Sequence, residues 1–332
     1  MSSLWFLVVG FIICSLSAHF LLPIFLCFGL RDYPERYPHE RGRAPLPYPS
    51  GLIPAVLSFG IFIIAPSLWL LSVPLFIVII VSLIDDIHRV SPLVRLGIQI
   101  FVALMAVLLG AQIDFIGHPF QPTNIALFHY PLLMHAVSVA WIILIMNALN
   151  FIDGSRGMSS NISAVGFFTF GLLGLVRPEL LYDPNYTEIT HINLYLSGVS
   201  LGIVPFVMRR KSIIGDTGSQ VLGYLLGVMS IIAGAKIATT IIVLSLPIVD
   251  AGVVILRRIL HKKAPWKWDL THIHHNLEQF VPPEKISLLF TIVSLIMGLV
   301  AVFVVSPVVQ LVTLIMILMV TGGGVIWLGL RK

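Results

Sequence analysis

The stretch Asn147-Ala148-Leu149-Asn150-Phe151-Ile152-Asp153-Gly154-Ser155-Arg156-Gly157 lies between two apolar runs, 132–149 and 158–176, each long enough to cross a bilayer. It packs two amides, a carboxylate, two glycines and an arginine into one short segment. Such groups are expensive in hydrocarbon and are retained where they lie at an interface and bind something. The flanking sequence shows that the interface exists.

With 58% hydrophobic and 11% charged residues among 332, and a mean hydropathy of +1.00, there is too little polar surface to cover a soluble globule. A helical span needs about 20 mostly apolar residues at ~1.5 Å each. Runs of that order recur at 4–28, 51–67, 69–84, 93–111, 132–149, 158–176, 191–208, 218–235, 237–256, 286–304 and 308–328. The sequence therefore predicts an all-α, polytopic helical membrane protein of about eleven transmembrane helices, forming one integral-membrane domain over 1–332 with no internal repeat. No basic residue precedes Arg31, so the first run reads as a retained span rather than a cleaved signal. Cys14 and Cys27 fall on that span, about 20 Å apart along a helix, too far for a disulfide.

Short loops rich in Lys and Arg stay cytoplasmic. When loops are assigned alternately to two sides, every Lys and Arg except Arg177 and Lys236 collects on one side. The expected orientation has the N-terminus outside and the C-terminus cytoplasmic. The net charge of +5 then reflects topology and attraction to anionic membrane lipid or substrate, and nucleic acid is not an expected partner.

The inside loops carry the chemistry. Residues 31–49 hold four arginines and five prolines, which excludes a regular helix and suits either a phosphate clamp or a headgroup-facing loop. Asp85-Asp86 ends an apolar run, a costly position kept for a cation, a proton or a hydrogen-bond network unless it is a solvated helix end. Arg209-Arg210-Lys211-Ser212-Ile213-Ile214-Gly215-Asp216-Thr217-Gly218-Ser219 leads into a helix whose N-terminus offers N–H groups to phosphate, with Asp216 either an N-cap or a ligand. The last large inside loop holds Arg257, Arg258, Trp266, Trp268 and His272-Ile273-His274-His275. Its histidines suggest zinc at first sight, but no thiolate lies on that side, and phosphate binding among the neighbouring basic residues is the better reading. The acids and amides together suit a hard divalent cation, and a soluble phosphorylated donor meeting a lipid phosphate would need that layout.

Four motifs, Asp85-Asp86, Asn147-x-x-Asn150-x-x-Asp153-Gly154-x-x-Gly157, Gly215-Asp216-x-Gly218-Ser219 and His272-Ile273-His274-His275, stand in one order on one expected face. In these the chain resembles, over nearly its whole length, the integral-membrane polyprenyl-phosphate N-acetylhexosamine-1-phosphate transferases of glycosyltransferase family 4. The His-Ile-His-His form looks more like the N-acetylglucosamine-1-phosphate branch. The resemblance implies transfer of a sugar-1-phosphate from a UDP-N-acetylhexosamine to undecaprenyl phosphate at a bacterial inner membrane, giving UMP and the first lipid-linked intermediate of a cell-envelope glycan. It implies Mg²⁺, with Mn²⁺ as an alternate, held by Asp216 and Asn150. Asp85, Asp86, Asp153, Asp216 and His274 are then the expected catalytic residues. Asp85 and Asp86 would face the lipid phosphate, Asn147 and Asp153 the nucleotide with Gly154 beside them, and His272, His274 and His275 phosphate or sugar, with Arg257 and Arg258 nearby. A homodimer is an open option.

Two departures stand out. Arg156 occupies a position where the family usually has an acid that helps read uracil, and Arg can only donate hydrogen bonds. Pro45-Leu46-Pro47-Tyr48-Pro49-Ser50-Gly51 replaces the usual Gly-Gly lead-in to the second span. The competing expectations are a transporter or lipid flippase, disfavoured because the acids sit at span ends rather than midplane, and a catalytically weak family member, motivated by Arg156.

Overall fold

A computed structural model describes residues 3–32, 44–117, 124–153, 156–181, 185–209, 211–234, 237–260, 262, 272–304 and 306, with scattered positions between 308 and 319. Arg36, Arg41, Arg43, Gly154, Arg210, Trp266, Trp268 and most of the expected span 308–328 lie outside these residues, as does the His275 side chain.

The helices are α1 (Trp5–Cys27), α2 (Leu52–Leu57), α3 (Ile61–Ile64), α4 (Ser72–His88), α5 (Pro92–Leu108), α6 (Pro131–Ile152), α7 (Met158–Val176), α8 (Tyr186–Met208), α9 (Gly215–Ile232), α10 (Ile237–Val243), α11 (Ser245–Leu260), α12 (Ile273–Leu277) and α13 (Pro283–Phe303). Among the described residues, six helical segments are long and apolar enough to span a membrane, or seven when α10 and α11, bent by 81° to each other, count as one broken span. The other expected spans up to 286–304 are also helical but do not meet that measure. α2 and α3 are separated by a 3-10 turn and give a short apolar stretch over 52–64, α5 is equally a shorter apolar helix, and α9 is a core helix. The strands β1 (Phe115–Gly117) and β2 (Asn124–Ala126) pair antiparallel with Ile116 opposite Ile125, a small ribbon added to the all-α frame.

Helix starts follow local chemistry. Ser91 Oγ accepts from the Val94 backbone N–H at 3.4 Å and Pro92 opens α5, while Pro131 and Pro283 open α6 and α13, where a missing N–H and a fixed φ are no loss. Every residue of α9 from Thr217 to Ser230 is buried, so it is the central post of the bundle. Polar groups join helices where no water is available. Trp141 Nε1 donates to Ser230 Oγ at 2.9 Å, Ser197 Oγ to the Ala164 carbonyl at 2.9 Å, and Asn161 Nδ2 to Ser287 Oγ at 3.1 Å.

α6 and α9 touch at their backbones. A Cβ added to Gly223 would lie 2.7 Å from Cα of Met146, and a backbone atom cannot swing aside as a side chain can. Gly223→Ala is therefore expected to destabilise the protein by about 1–3 kcal/mol and to lower its melting temperature in detergent. Gly97→Ala, inside α5 where the added atom meets nothing within 4 Å, is the control and should hold or slightly raise the melt, since Ala is the better helix former.

Candidate active site

Four helix ends meet at one end of the bundle: the C-terminal turns of α4 and α6 and the N-terminal turns of α5 and α9. They bring Asp85, Asp86, Asn147, Asn150, Asp153 and Asp216 into one neighbourhood.

Asp86 is the keystone of that meeting. Its Oδ1 accepts from the Asp216 backbone N–H at 2.8 Å and from Tyr48 Oη at 2.5 Å. Its Oδ2 accepts from the Thr217 backbone N–H at 2.8 Å and from Thr217 Oγ1. An acid in the last turn of a helix opposes that helix's dipole. Here the same carboxylate caps the N-terminus of α9, where negative charge and unpaired N–H groups suit each other. The approach requires Gly215, whose φ is +79° and where a Cβ would lie 2.8 Å from Pro49 Cβ and 3.0 Å from Asp86 Oδ1.

The proline-rich lead-in now has a structural account. Ser50 N and Gly51 N donate to the carbonyls of Ile213 and Ile214 at 2.8 and 2.9 Å, and Ile213 N donates to Pro47 O at 3.1 Å. The extended segment lies along the loop before α9 and delivers the Tyr48 hydroxyl to Asp86. A Cβ at Gly51 would sit 2.3 Å from Cα of Gly218, so the two segments meet backbone to backbone.

Asp85 turns the other way. Its Oδ1 accepts from Val90 N at 2.6 Å, and its Oδ2 meets Arg95 Nη1 at 3.1 Å. The same Nη1 lies 3.1 Å from Asp216 Oδ2, so one guanidinium bridges two carboxylates. Asn150 Nδ2 donates to Asp216 Oδ1 at 2.7 Å and to Ser219 Oγ at 3.0 Å. Asn147 faces inward instead, with Nδ2 donating to Gln99 Oε1 at 3.0 Å, while Gln99 Nε2 reaches Gln220 Oε1 at 2.8 Å.

Asp153 follows the last residue of α6 and accepts from Ser159 Oγ. Part of its surface is open, but the chain packed around it strips its hydration. Burial, with repulsion from Asp216 and Asp86, holds its carboxyl well above the ordinary carboxylate range against the opposing Ser159 bond.

The histidine segment forms a second wall. His272 is 7% exposed and His274 fully buried, their rings stacked at 5.6 Å, and the His272 ring lies 5.5 Å from that of Phe151, the residue after Asn150. Arg258 is buried and Arg257 exposed in the last turn of α11. Arg156 pairs with Glu284 in the first turn of α13, so the unexpected cation has a carboxylate partner from another helix.

Sequence reasoning passed over Arg95, Gln99, Tyr48 and Asp250. Arg95 and Gln99 are four residues apart in an otherwise apolar helix and so share a face, and Asp250 is a lone acid inside an apolar run. Those signals were readable. For Tyr48 there was none, because its role comes from a strand-like contact across the fold.

A polytopic helical membrane protein with a carboxylate cluster where helix ends meet is the class defined so far. The chain belongs to glycosyl transferase family 4, whose model matches residues 68–234, the portion that carries every acid of the cluster. It is 30% identical over 298 residues to a Bacillus subtilis (strain 168) protein named "Probable undecaprenyl-phosphate N-acetylglucosaminyl 1-phosphate transferase", covering 85% of this chain and 80% of that one. It is 27% identical to the "Undecaprenyl-phosphate alpha-N-acetylglucosaminyl 1-phosphate transferase" of Pasteurella multocida (strain Pm70), over 81% of this chain and 77% of the relative. The Haemophilus influenzae (strain ATCC 51907 / DSM 11121 / KW20 / Rd) protein of the same name is 26% identical over 86% of this chain and 82% of its own. None of these names speaks to a homodimer.

The pairing with Glu284 reverses the simplest expectation for position 156. Arg156→Asp would set two acids against each other and should lower turnover several-fold, as loss of a half-exposed pair predicts. Adding Glu284→Arg should recover part of the loss, as measured by initial rates of the two single variants and the double variant.

Proposed function

We propose that this protein transfers a sugar-1-phosphate, foremost N-acetylglucosamine-1-phosphate, from a UDP-sugar to undecaprenyl phosphate on the cytoplasmic face of a bacterial inner membrane, releasing UMP. The observation that carries the reading is the Asp85–Arg95–Asp216–Asn150 constellation at the joined helix ends of a family 4 chain. Membership in that family, with relatives of this kind, favours the transferase over a transporter or flippase.

Phosphoryl transfer asks the protein mainly to position two anions and offset their charge. Beside the constellation runs a cleft lined by Val78, Val81, Ile98 and Val102, with Asp85, Arg95 and Gln99 at its polar side. Arg95 both screens the Asp85–Asp216 repulsion and offers N–H donors to phosphate oxygens. The Asp86 cap fixes where Asp216 points, and Ser219 and Asp216 together orient the Asn150 amide.

The donor set suits Mg²⁺, or Mn²⁺ in its place. Among the described residues no three His, Cys, Asp or Glu side chains form a ready cage. Mg²⁺ keeps several waters and takes one or two protein ligands plus substrate phosphates. Asp216 and the Asn150 carbonyl oxygen would hold it, and it would supply neutralisation of the donor diphosphate. Arg257, Arg258 and His272 would line the sugar-phosphate side.

Purified protein supplied with undecaprenyl phosphate and UDP-N-acetylglucosamine should release UMP only with a divalent cation, and Asp216→Asn should reduce that release by at least about 100-fold. A screen of other UDP-N-acetylhexosamines fixes the sugar. Failure of every donor to yield UMP, or undiminished turnover by Asp216→Asn, would overturn the assignment.

A further inference from the structure

Asp250 is a fully buried acid in α11, the far arm of the bent α10–α11 pair. A buried carboxylate survives only if its oxygens are engaged, and both are. Oδ1 accepts from the Ile273 backbone N–H, the first of α12, at 2.8 Å, and Oδ2 lies 2.8 Å from His272 Nδ1, with His274 Nδ1 at 4.0 Å. A carboxylate can only accept, so the 2.8 Å contact calls for the hydrogen on His272 Nδ1. The imidazole also lies 5.5 Å from the ring of Phe151, beside Asn150. His272 is thus gripped between the bent span and the segment that carries the metal-facing amide.

We propose that Asp250 is a positioning residue for the transfer. Its one carboxylate both caps the histidine helix and fixes the orientation and tautomer of His272 against the Asn150 segment. This rests on the transferase reading above for its consequence, though not for its geometry. A residue that merely capped α12 would be replaced well by Asn, whose Oδ1 accepts the Ile273 N–H as Asp does. Asn cannot also accept from Nδ1, because its remaining group is an NH₂ donor, so Asp250→Asn keeps the cap and forces the opposite tautomer.

The test uses the full chain with UDP-N-acetylglucosamine and undecaprenyl phosphate. Asp250→Asn should lower kcat by about 10- to 100-fold, with KM for both substrates within about threefold, and with the melting temperature and the hydrogen-exchange protection of 272–277 kept. His272→Asn should cost a similar factor, and the double variant should be no slower than the slower single one, since each breaks the same contact. Nitrogen-15 NMR of histidine-labelled protein, assigned through His272→Asn, should show Nδ1 protonated in the wild type and Nε2 protonated in Asp250→Asn. Wild-type kcat in Asp250→Asn, a joint loss of kcat and melting temperature, single losses that multiply in the double variant, or an unchanged tautomer would each overturn the proposal. A wild-type protein that turns over no donor would instead overturn the transferase reading, and the tautomer measurement would still decide the role of Asp250.

Discussion

One carboxylate holds the site together. Asp86 receives two backbone N–H groups of α9, the Thr217 hydroxyl and the Tyr48 hydroxyl, and so ties α4, the proline-rich segment and the central helix at one point. A single cap contributes about 1 kcal/mol in ordinary settings, but its consequence here is geometric. The N–H it holds belongs to Asp216, whose side chain is thereby aimed at Arg95 and Asn150. The energetic penalty of an acid at the end of α4 is offset at the start of α9, and the two helices lock at the end that carries the carboxylate cluster.

Around that lock the protein accumulates negative charge that it only partly neutralises. Asp216 and Asp86 lie close enough to Asp153 to raise it by repulsion as well as burial, and Arg95 is shared between Asp85 and Asp216. Behind it, the Gln99–Asn147–Gln220 amides give the neighbouring helices a polar contact where water is scarce, which keeps the loaded end of the bundle from spreading.

Most of the helical frame could be read from hydropathy, because long apolar runs have few alternatives in a membrane. The motifs Asp85-Asp86, Asn150-x-x-Asp153 and Asp216 were also legible, since acids and amides at span ends are hard to explain otherwise. Spans shortened or bent inside the bundle were not. α9 is buried on all sides, α2 and α3 are separated by a 3-10 turn, and α10–α11 is kinked, none of which a period of hydrophobicity reveals. Nor did the sequence distinguish the two adjacent aspartates, because one residue along a helix turns a side chain by about 100°.

The sequence alone determined the class of fold and the order of the polar clusters along it, because composition and residue chemistry are local properties. Tertiary structure decided the partners. It joined Asp86 to an α9 N-terminus 130 residues away in sequence, gave Arg156 its Glu284, brought Tyr48 in from a loop, and placed Asp250 under His272. These are contacts between segments that share no periodicity, and only the packing of one helix end against another fixes which charged group meets which.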